Sequence, residues 1–368
     1  MKLYCSGLEL SEAVLRVSKA MPIKKTMSIL EGIKLSAIGS TLTITATDLE
    51  LAIERKIRAD IKLEGEAVVP GKFFCEFIKK LSNEEIEIST HDNKMSIKYG
   101  DSVGELQCLN LDEFPPIRKV EEDTFFTISQ RKFMKLIDRT IFSVSNEDLR
   151  PILKGCLIEI DSNLHNVRAV ALDGFRLAVC EEEILSTGKD ISVIIPARSL
   201  AEISKIIEDE DIPCTLYIQN NYVMLDLDHT KITSRLIEGD FIQYKKIIPR
   251  EFNTLITVNK SQMETGLERA SLVSRGDKNN LIKLDIKEKN MSITSNSELG
   301  NINENVVISL NGKDISIAFN VKYFTEAFRV IEDEFIQLNM SSSTAPCIIK
   351  PMEGEKYLYM ILPVKMLG

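Results

Sequence analysis

Few residues in this sequence have types and spacings that could do chemistry. Asp226-Leu227-Asp228-His229 puts two carboxylates on one face of a strand, where they could hold a hard cation. Glu208-Asp209-Glu210-Asp211 is a second acidic cluster, but adjacent carboxylates diverge along a backbone and nothing forces four of them onto one ion. Both read better as solvated surface, the first as the face of a strand ending at a turn and the second as an acidic run between elements. His91, His165 and His229 have no second His or Cys at ligand spacing, which argues against a zinc or iron site. The seven cysteines (5, 75, 108, 156, 180, 214 and 347) are odd in number, scattered and without a Cys-x-x-Cys pair, the pattern of reduced core residues. The sequence contains no Gly-x-Gly-x-x-Gly, no Walker loop and no Gly-x-Ser-x-Gly elbow. Neither metal nor cofactor is expected, and a metal-dependent phosphodiesterase or nuclease is the remotest of the readings considered.

With no catalytic constellation to serve, the order of the elements carries the information. The chain has 368 residues, 44% hydrophobic and 27% charged with both signs interspersed, as in a folded chain of two or three domains. Apolar runs such as Val193-Ile194-Ile195 fall far short of the roughly 20 residues a membrane helix needs. Met1-Lys2-Leu3-Tyr4-Cys5 does not open a secretory segment, so a cytoplasmic protein with no membrane partner is expected.

Three segments repeat a single pattern. They run from Val68-Val69-Pro70-Gly71-Lys72 to Leu81, from Ile194-Ile195-Pro196-Ala197-Arg198 to Ile207, and from Ala318-Phe319-Asn320-Val321-Lys322 to Ile331, with starts 126 and 124 residues apart. Each begins at an apolar strand end, turns at Pro or Asn, places a cation two residues later and a Glu four after that, then continues at helical period. Acidic residues follow each helix, and then alternating runs that predict strands at 86–89, 215–218 and 335–338. A second set of helical patterns lies about half a period earlier, at 8–20, 129–142 and 259–273. The chain therefore reads as three copies of one α+β domain, each a doubled helix-then-strands motif. Chance likeness among amphipathic helices does not explain equal spacing together with equal flanking order.

The formal charge of −9 conceals a division. The six helical windows hold 15 Lys/Arg against 8 Asp/Glu, a balance of +7, which leaves the remainder of the chain at −16. For any one helix, Lys and Arg merely filling a solvent face is the better explanation. Pooled over six, the division points to a basic surface built from helices and an acidic one built from strands and loops. The basic surface suits sequence-independent phosphate contact.

These residues resemble the bacterial DNA polymerase III β subunit family, the sliding clamps, along the whole chain. The resemblance is carried by Ala171-Leu172-Asp173-Gly174-Phe175-Arg176-Leu177-Ala178, Leu236-Ile237-Glu238-Gly239-Asp240-Phe241 with Tyr244-Lys245-Lys246, Asp112-Glu113-Phe114-Pro115, and Tyr359-Met360-Ile361-Leu362-Pro363-Val364-Lys365-Met366. It implies an α+β fold of three repeated sliding-clamp domains, here 1–122, 123–250 and 251–368. The domains form a ring as a head-to-tail dimer, with helices inside and sheets outside. The implied function is to encircle duplex DNA without sequence preference and tether the replicative polymerase, conferring processivity without catalysis.

The resemblance also implies sites, residue by residue. A cleft for short linear motifs on polymerase and clamp-loader subunits falls on Leu153, Leu172, Gly174, Phe175, Arg176, Leu177, Ile242, Lys246, Ile247, Asn320, Tyr323, Leu362, Pro363, Val364 and Lys365. Clustered aliphatics would give an apolar slot, with Arg176, Lys246 and Lys365 meeting the polar or acidic flank of a peptide. Leu172 and Phe175 stand where the family often has Thr and His, Ile242 where it often has Pro, and Leu367-Gly368 extends the usual end. DNA is expected to meet Lys24, Lys25, Lys72, Lys79, Lys80, Arg131, Lys132, Lys135, Arg139, Arg198 and Lys205 as mobile cations, and the dimer to join Leu106 and Leu109 to Leu272 and Val273. The main alternative is a non-catalytic repeated scaffold that binds short peptides without encircling DNA.

Overall fold

A computed structural model describes residues 1–24, 27–81, 83–147, 149–274, 280–298 and 300–365. Lys25, Leu367 and Gly368 lie outside the described residues. The α-helices among those described are α1 (Gly7–Val17), α2 (Gly71–Ile78), α3 (Gln130–Asp138), α4 (Ala197–Ser204), α5 (Lys260–Ser274) and α6 (Val321–Arg329), two in each sequence repeat. Each coincides with a window read from period 3.6, α1 starting one residue before its window and α5 ending one residue after. Local chemistry explains their starts: the Ser6 hydroxyl accepts from the Glu9 N–H at the head of α1, and the Asn320 side chain accepts from the Lys322 N–H at the head of α6. The patterns at 71–81 and 8–20 end in 3-10 turns, Lys79–Leu81 and Ser18–Ala20. In the 129–142 window the α-helix stops at Asp138, and the Thr140 hydroxyl bonds back to the Leu136 carbonyl at 2.6 Å.

Among the described residues all strand pairs are antiparallel, in three sheets. A five-stranded sheet has the order Asp60–Leu63, Lys2–Ser6, Glu85–His91, Lys94–Tyr99, Ser102–Gln107. Its hairpin at Asp92-Asn93 has positive φ at both residues, a turn whose twist matches that of the flanking strands. Gly7, at the start of α1, must be small: a Cβ there would lie 2.0 Å from the Leu81 carbonyl oxygen.

A nine-stranded sheet runs from Ser186–Thr187 through Phe125–Ser129, Pro213–Gln219, Tyr222–Asp226, Thr230–Arg235, Leu51–Arg58, Thr41–Thr47 and Gly32–Ile38 to Gly65–Pro70. It crosses from the second sequence repeat to the first where Thr230–Arg235 pairs with Leu51–Arg58, and there Arg55 Nη1 donates to Thr230 Oγ1 at 2.7 Å. A twelve-stranded sheet has the order Ile191–Pro196, Gly155–Asp161, Asn166–Leu172, Arg176–Glu183, Tyr357–Ile361, Cys347–Pro351, Phe335–Met340, Thr254–Asn259, Gly300–Gly312, Asn290–Ser297, Leu281–Lys287, Ile315–Asn320. It joins the second repeat to the third where Arg176 opposes Ile361 and Cys180 opposes Tyr357.

Because ladders cross the repeat boundaries, the compact units differ from the repeats. One unit comprises residues 1–130, 185–188 and 205–236; the other comprises 131–184, 189–204 and 237–368, so the second repeat is divided between them. In the latter unit, α5 and α6 bury Met263, Leu267, Phe324 and Phe328 against Ile282, Ile293 and Ile317 of their sheet. The seven cysteines are unpaired thiols, and all but Cys75 are buried.

Candidate functional site

The predicted cleft residues all belong to one compact unit. Leu153 from the 3-10 turn Pro151–Lys154, Leu172 at a strand end and Leu177 at the next strand's start are buried with Val170, Tyr244 and Met360 in one apolar cluster, and Ile242 packs on it half-buried. Between Leu172 and Leu177 the chain turns tightly. Gly174 has φ +95°, and Asp173 Oδ1 accepts from the N–H groups of Phe175 and Arg176 at 2.9 and 3.0 Å. This turn pushes Phe175 outward, 57% exposed, where it stacks on Tyr323 of α6 with ring centroids 6.4 Å apart. Burial raises the Tyr323 hydroxyl pKa above its ordinary value, with the Asp173 carboxylate adding to the effect.

The C-terminal segment closes one side. The Leu362 N–H donates to the Phe175 carbonyl at 2.9 Å and the Val364 N–H to the Ala318 carbonyl at 2.8 Å, so Leu362, Pro363 and Val364 lie half-buried beside Phe175 and the Ile315–Asn320 strand. Asn320 is occupied in capping α6. Lys246, Ile247 and Lys365 are exposed, Ile247 at 45%.

Arg176 departs from expectation. Its side chain is buried and committed: Nε donates to Asp173 Oδ2 at 3.0 Å, Nη1 to Glu326 Oε2 and Nη2 to the Phe142 carbonyl. A guanidinium so enclosed supports the site and is not available to a peptide's acidic flank. Asp173, Phe142 and Glu326 were missed in the sequence reading. Glu326 had left a signal, since it is the third repeat's copy of the Glu that follows each helix cation. Leu177 is likewise only 1% exposed and forms floor, not surface.

Among the predicted cations, Lys24, Lys72, Lys79 and Lys80 are exposed and make no ion pair among the described residues. Lys205 is exposed, and Arg131 and Arg198 are half-buried. Lys132 Nζ lies 3.1 Å from Glu183 and Lys135 Nζ 3.3 Å from Glu332. Arg139 corrects the expectation of a mobile cation: its side chain is 8% exposed, Nη2 is 3.0 Å from Glu332, and the guanidinium sits over the Tyr357 ring. Leu272 near the end of α5 is 57% exposed and Val273 half-buried. Leu106 is buried, although its strand Ser102–Gln107 is a sheet edge. Leu109 packs half-buried against Val68 and Phe114 and donates its N–H to Val68 O.

Asp226 pairs with Lys231 at 3.1 Å, and Asp228 sits in the turn beyond the strand end, which leaves the pair as solvated surface. Among the described residues no group of three or more His, Cys, Asp or Glu side chains is arranged to hold a metal ion. No helix among them is long and apolar enough to cross a membrane.

Three sequence repeats joined through shared antiparallel sheets, with two α-helices to each repeat, define a clamp-type repeated scaffold. Family models for the N-terminal, central and C-terminal domains of the DNA polymerase III beta subunit match residues 1–118, 127–243 and 245–365. The chain is 32% identical over 364 residues to the beta sliding clamp of Halalkalibacterium halodurans, covering 95% of each protein. It superposes on the DNA polymerase sliding clamp of Bacillus subtilis with a TM-score of 0.96 at 30% identity, and on a Pseudomonas aeruginosa clamp bound to griselimycin with 0.93 at 25%, covering 100% of each chain in both cases. The chain belongs to the DNA polymerase III beta subunit family, the beta sliding clamps. It is a non-catalytic DNA clamp that serves polymerase processivity, and it works as a dimer with DNA and polymerase as partners.

Proposed function

We propose that two copies close head to tail into a ring around duplex DNA in the cytoplasm, each contributing clamp domains 1–122, 123–250 and 251–368, and that short linear motifs of polymerase and clamp-loader subunits dock in the cleft. The observation that carries the DNA reading is the sorting of charge: helical windows at +7 against −16 elsewhere, with Lys24, Lys72, Lys79 and Lys80 exposed. Arg131, Lys132, Lys135, Arg198 and Lys205 complete the set facing DNA. Arg139 contributes by fixing α3. Lysine-rich helix faces without an Arg/Asn/Gln fork pattern hold phosphates and do not read bases, as sliding requires. The acidic remainder repels DNA that is not threaded.

In the cleft, Leu153, Leu172, Leu177 and Ile242 form the floor, Phe175, Tyr323, Ile247, Leu362, Pro363 and Val364 the walls, and Lys246 and Lys365 the cationic rim. Gly174 and Asn320 shape the backbone on either side. At the dimer joint, exposed Leu272 with Val273 meets the edge strand Ser102–Gln107 and Leu109, while buried Leu106 stiffens that edge.

The test is retention of loaded protein on closed circular DNA and on the same DNA linearised. A ring stays on the circle in moderate salt and slides off the free ends. Equal retention on both would reject encirclement and favour a peptide-binding scaffold.

A further inference from the structure

The cleft side that bears Ile242, Lys246 and Ile247 belongs to residues 238–250, a stretch with one 3-10 turn, Tyr244–Lys246, and no strand. Among the described residues its backbone-to-backbone hydrogen bonds are internal: Tyr244 N–H to Ile242 O, Lys246 N–H to Gln243 O and Ile247 N–H to Tyr244 O. Side chains therefore hold this stretch to the sheet. Phe241, Ile242, Tyr244 and Ile248 pack on the apolar cluster of Leu157, Val170 and Ile194. Apolar burial is non-directional, so it keeps the segment on the sheet without fixing its position there. A cavity of about 310 Å³ beside it, lined in part by Asp161, Asp190 and Lys245, leaves room to shift.

Direction comes from a charged row. Glu159, Arg168 and Glu181 oppose one another across three adjacent strands and stand on one face. Arg168 donates to Glu181 Oε2 through Nε at 3.0 Å and Nη2 at 2.5 Å, and its Nη1 is 3.8 Å from Glu159 Oε2. Asn166 donates to the other Glu181 oxygen. Glu159 is thus held from behind and accepts the Tyr244 hydroxyl at 2.5 Å, with Lys245 Nζ 3.6 Å away on the exposed side. Burial raises the Tyr244 pKa well above its ordinary value, as does the bond to Glu159, so the hydroxyl stays a donor. We propose that Tyr244 and the Glu159–Arg168–Glu181 row are positioning residues that set the place of the 238–250 segment, and with it the positions of Ile242, Lys246 and Ile247 in the cleft. The proposal rests on the peptide-cleft reading above.

Tyr244→Phe keeps the ring and removes the bond. Hydrogen exchange of the intact protein should quicken about tenfold across 238–250, while strands Gly155–Asp161 and Asn166–Leu172 keep their protection. The dissociation constant for a synthetic peptide copied from a polymerase's linear motif, used as probe, should rise about tenfold. Glu159→Ala should match Tyr244→Phe, whereas Glu159→Gln, which keeps an acceptor, should stay nearer the unaltered protein. Unchanged exchange in Tyr244→Phe, or faster exchange with unchanged affinity, overturns the proposal. Failure of the unaltered protein to bind that peptide counts instead against the cleft reading, and the exchange comparison then decides the positioning role by itself.

Discussion

The guanidinium of Arg176 lies 4.7 Å from the centre of the Tyr323 ring, and Phe175 stacks on that same ring. Cation, phenol and phenyl form one stack that runs from the buried ion pairs with Asp173 and Glu326 out to solvent. The exposed Phe175 ring and the Tyr323 ring on which it stacks therefore have their orientation set by a buried charge.

Arg176→Ala should accordingly act on stability first. It strands two partly buried carboxylates and removes the support under Tyr323, a loss of about 3 kcal/mol or more in denaturant unfolding. Arg176→Lys restores the charge without the planar fork and should recover less than half of that loss. An Arg176→Ala protein as stable as its parent would contradict the stack's role.

Phe175→Ala and truncation after Ile361 probe the surface of the same site. Phe175 is largely exposed, so its loss should leave unfolding nearly unchanged while weakening the binding of a polymerase-derived peptide by tens of fold. Truncation removes the two backbone bonds that seat the tail on Phe175 and Ala318 and should abolish binding with the dimer intact. By contrast, Leu177→Ala opens a cavity in the floor and should cost about 2–5 kcal/mol of stability as well. Full binding by the truncated protein would move the cleft elsewhere.

Leu272→Glu combined with Val273→Ala should yield folded monomers in sedimentation experiments. Leu272 contributes little to its own chain's core, so a charge there is tolerated until a partner tries to bury it unpaired. Such monomers should also lose retention on circular DNA. A double variant of unchanged dimer mass would rule this joint out.

Alkaline conditions should weaken the fold through its thiols. Burial pushes the pKa values of Cys5, Cys156, Cys180 and Cys214 up from 9.0 to about 12, and that of Cys75 to about 11. The folded state then holds protons that the unfolded chain releases. Stability is complete below about pH 9 and falls as pH rises from there through about 12, by up to about 1.4 kcal/mol per buried thiol per unit. Urea midpoints at pH 7.5 and 10.5 measure the slope, and Cys156→Ala should reduce it. A midpoint equal at the two values would exclude this linkage.

The helices and the strands after them were legible because their periods are local properties: the alternating run at 335–338 lies inside Phe335–Met340, and the window at 321–331 holds α6. Pairing was not legible. Alternation tells which face of Arg176–Glu183 is buried but not that its neighbour is Tyr357–Ile361, from the far end of the chain, and for that reason compact units that divide the second repeat could not be anticipated. The cations show the same limit. Arg139 and Lys72 are alike in sequence, yet Glu332 and Tyr357 enclose the first and nothing encloses the second. Arg176 could be paired with Asp173 by proximity, whereas Glu326, 150 residues on, needed the fold.

The ladders that carry one repeat into the next have a mechanical consequence. Thr230–Arg235 on Leu51–Arg58, and Arg176–Glu183 on Tyr357–Ile361, are lap joints made of backbone hydrogen bonds, and parting either means breaking a row of them together. Force applied across either boundary is therefore shared along a whole strand, and the repeats it joins move as one band and not as beads on a string.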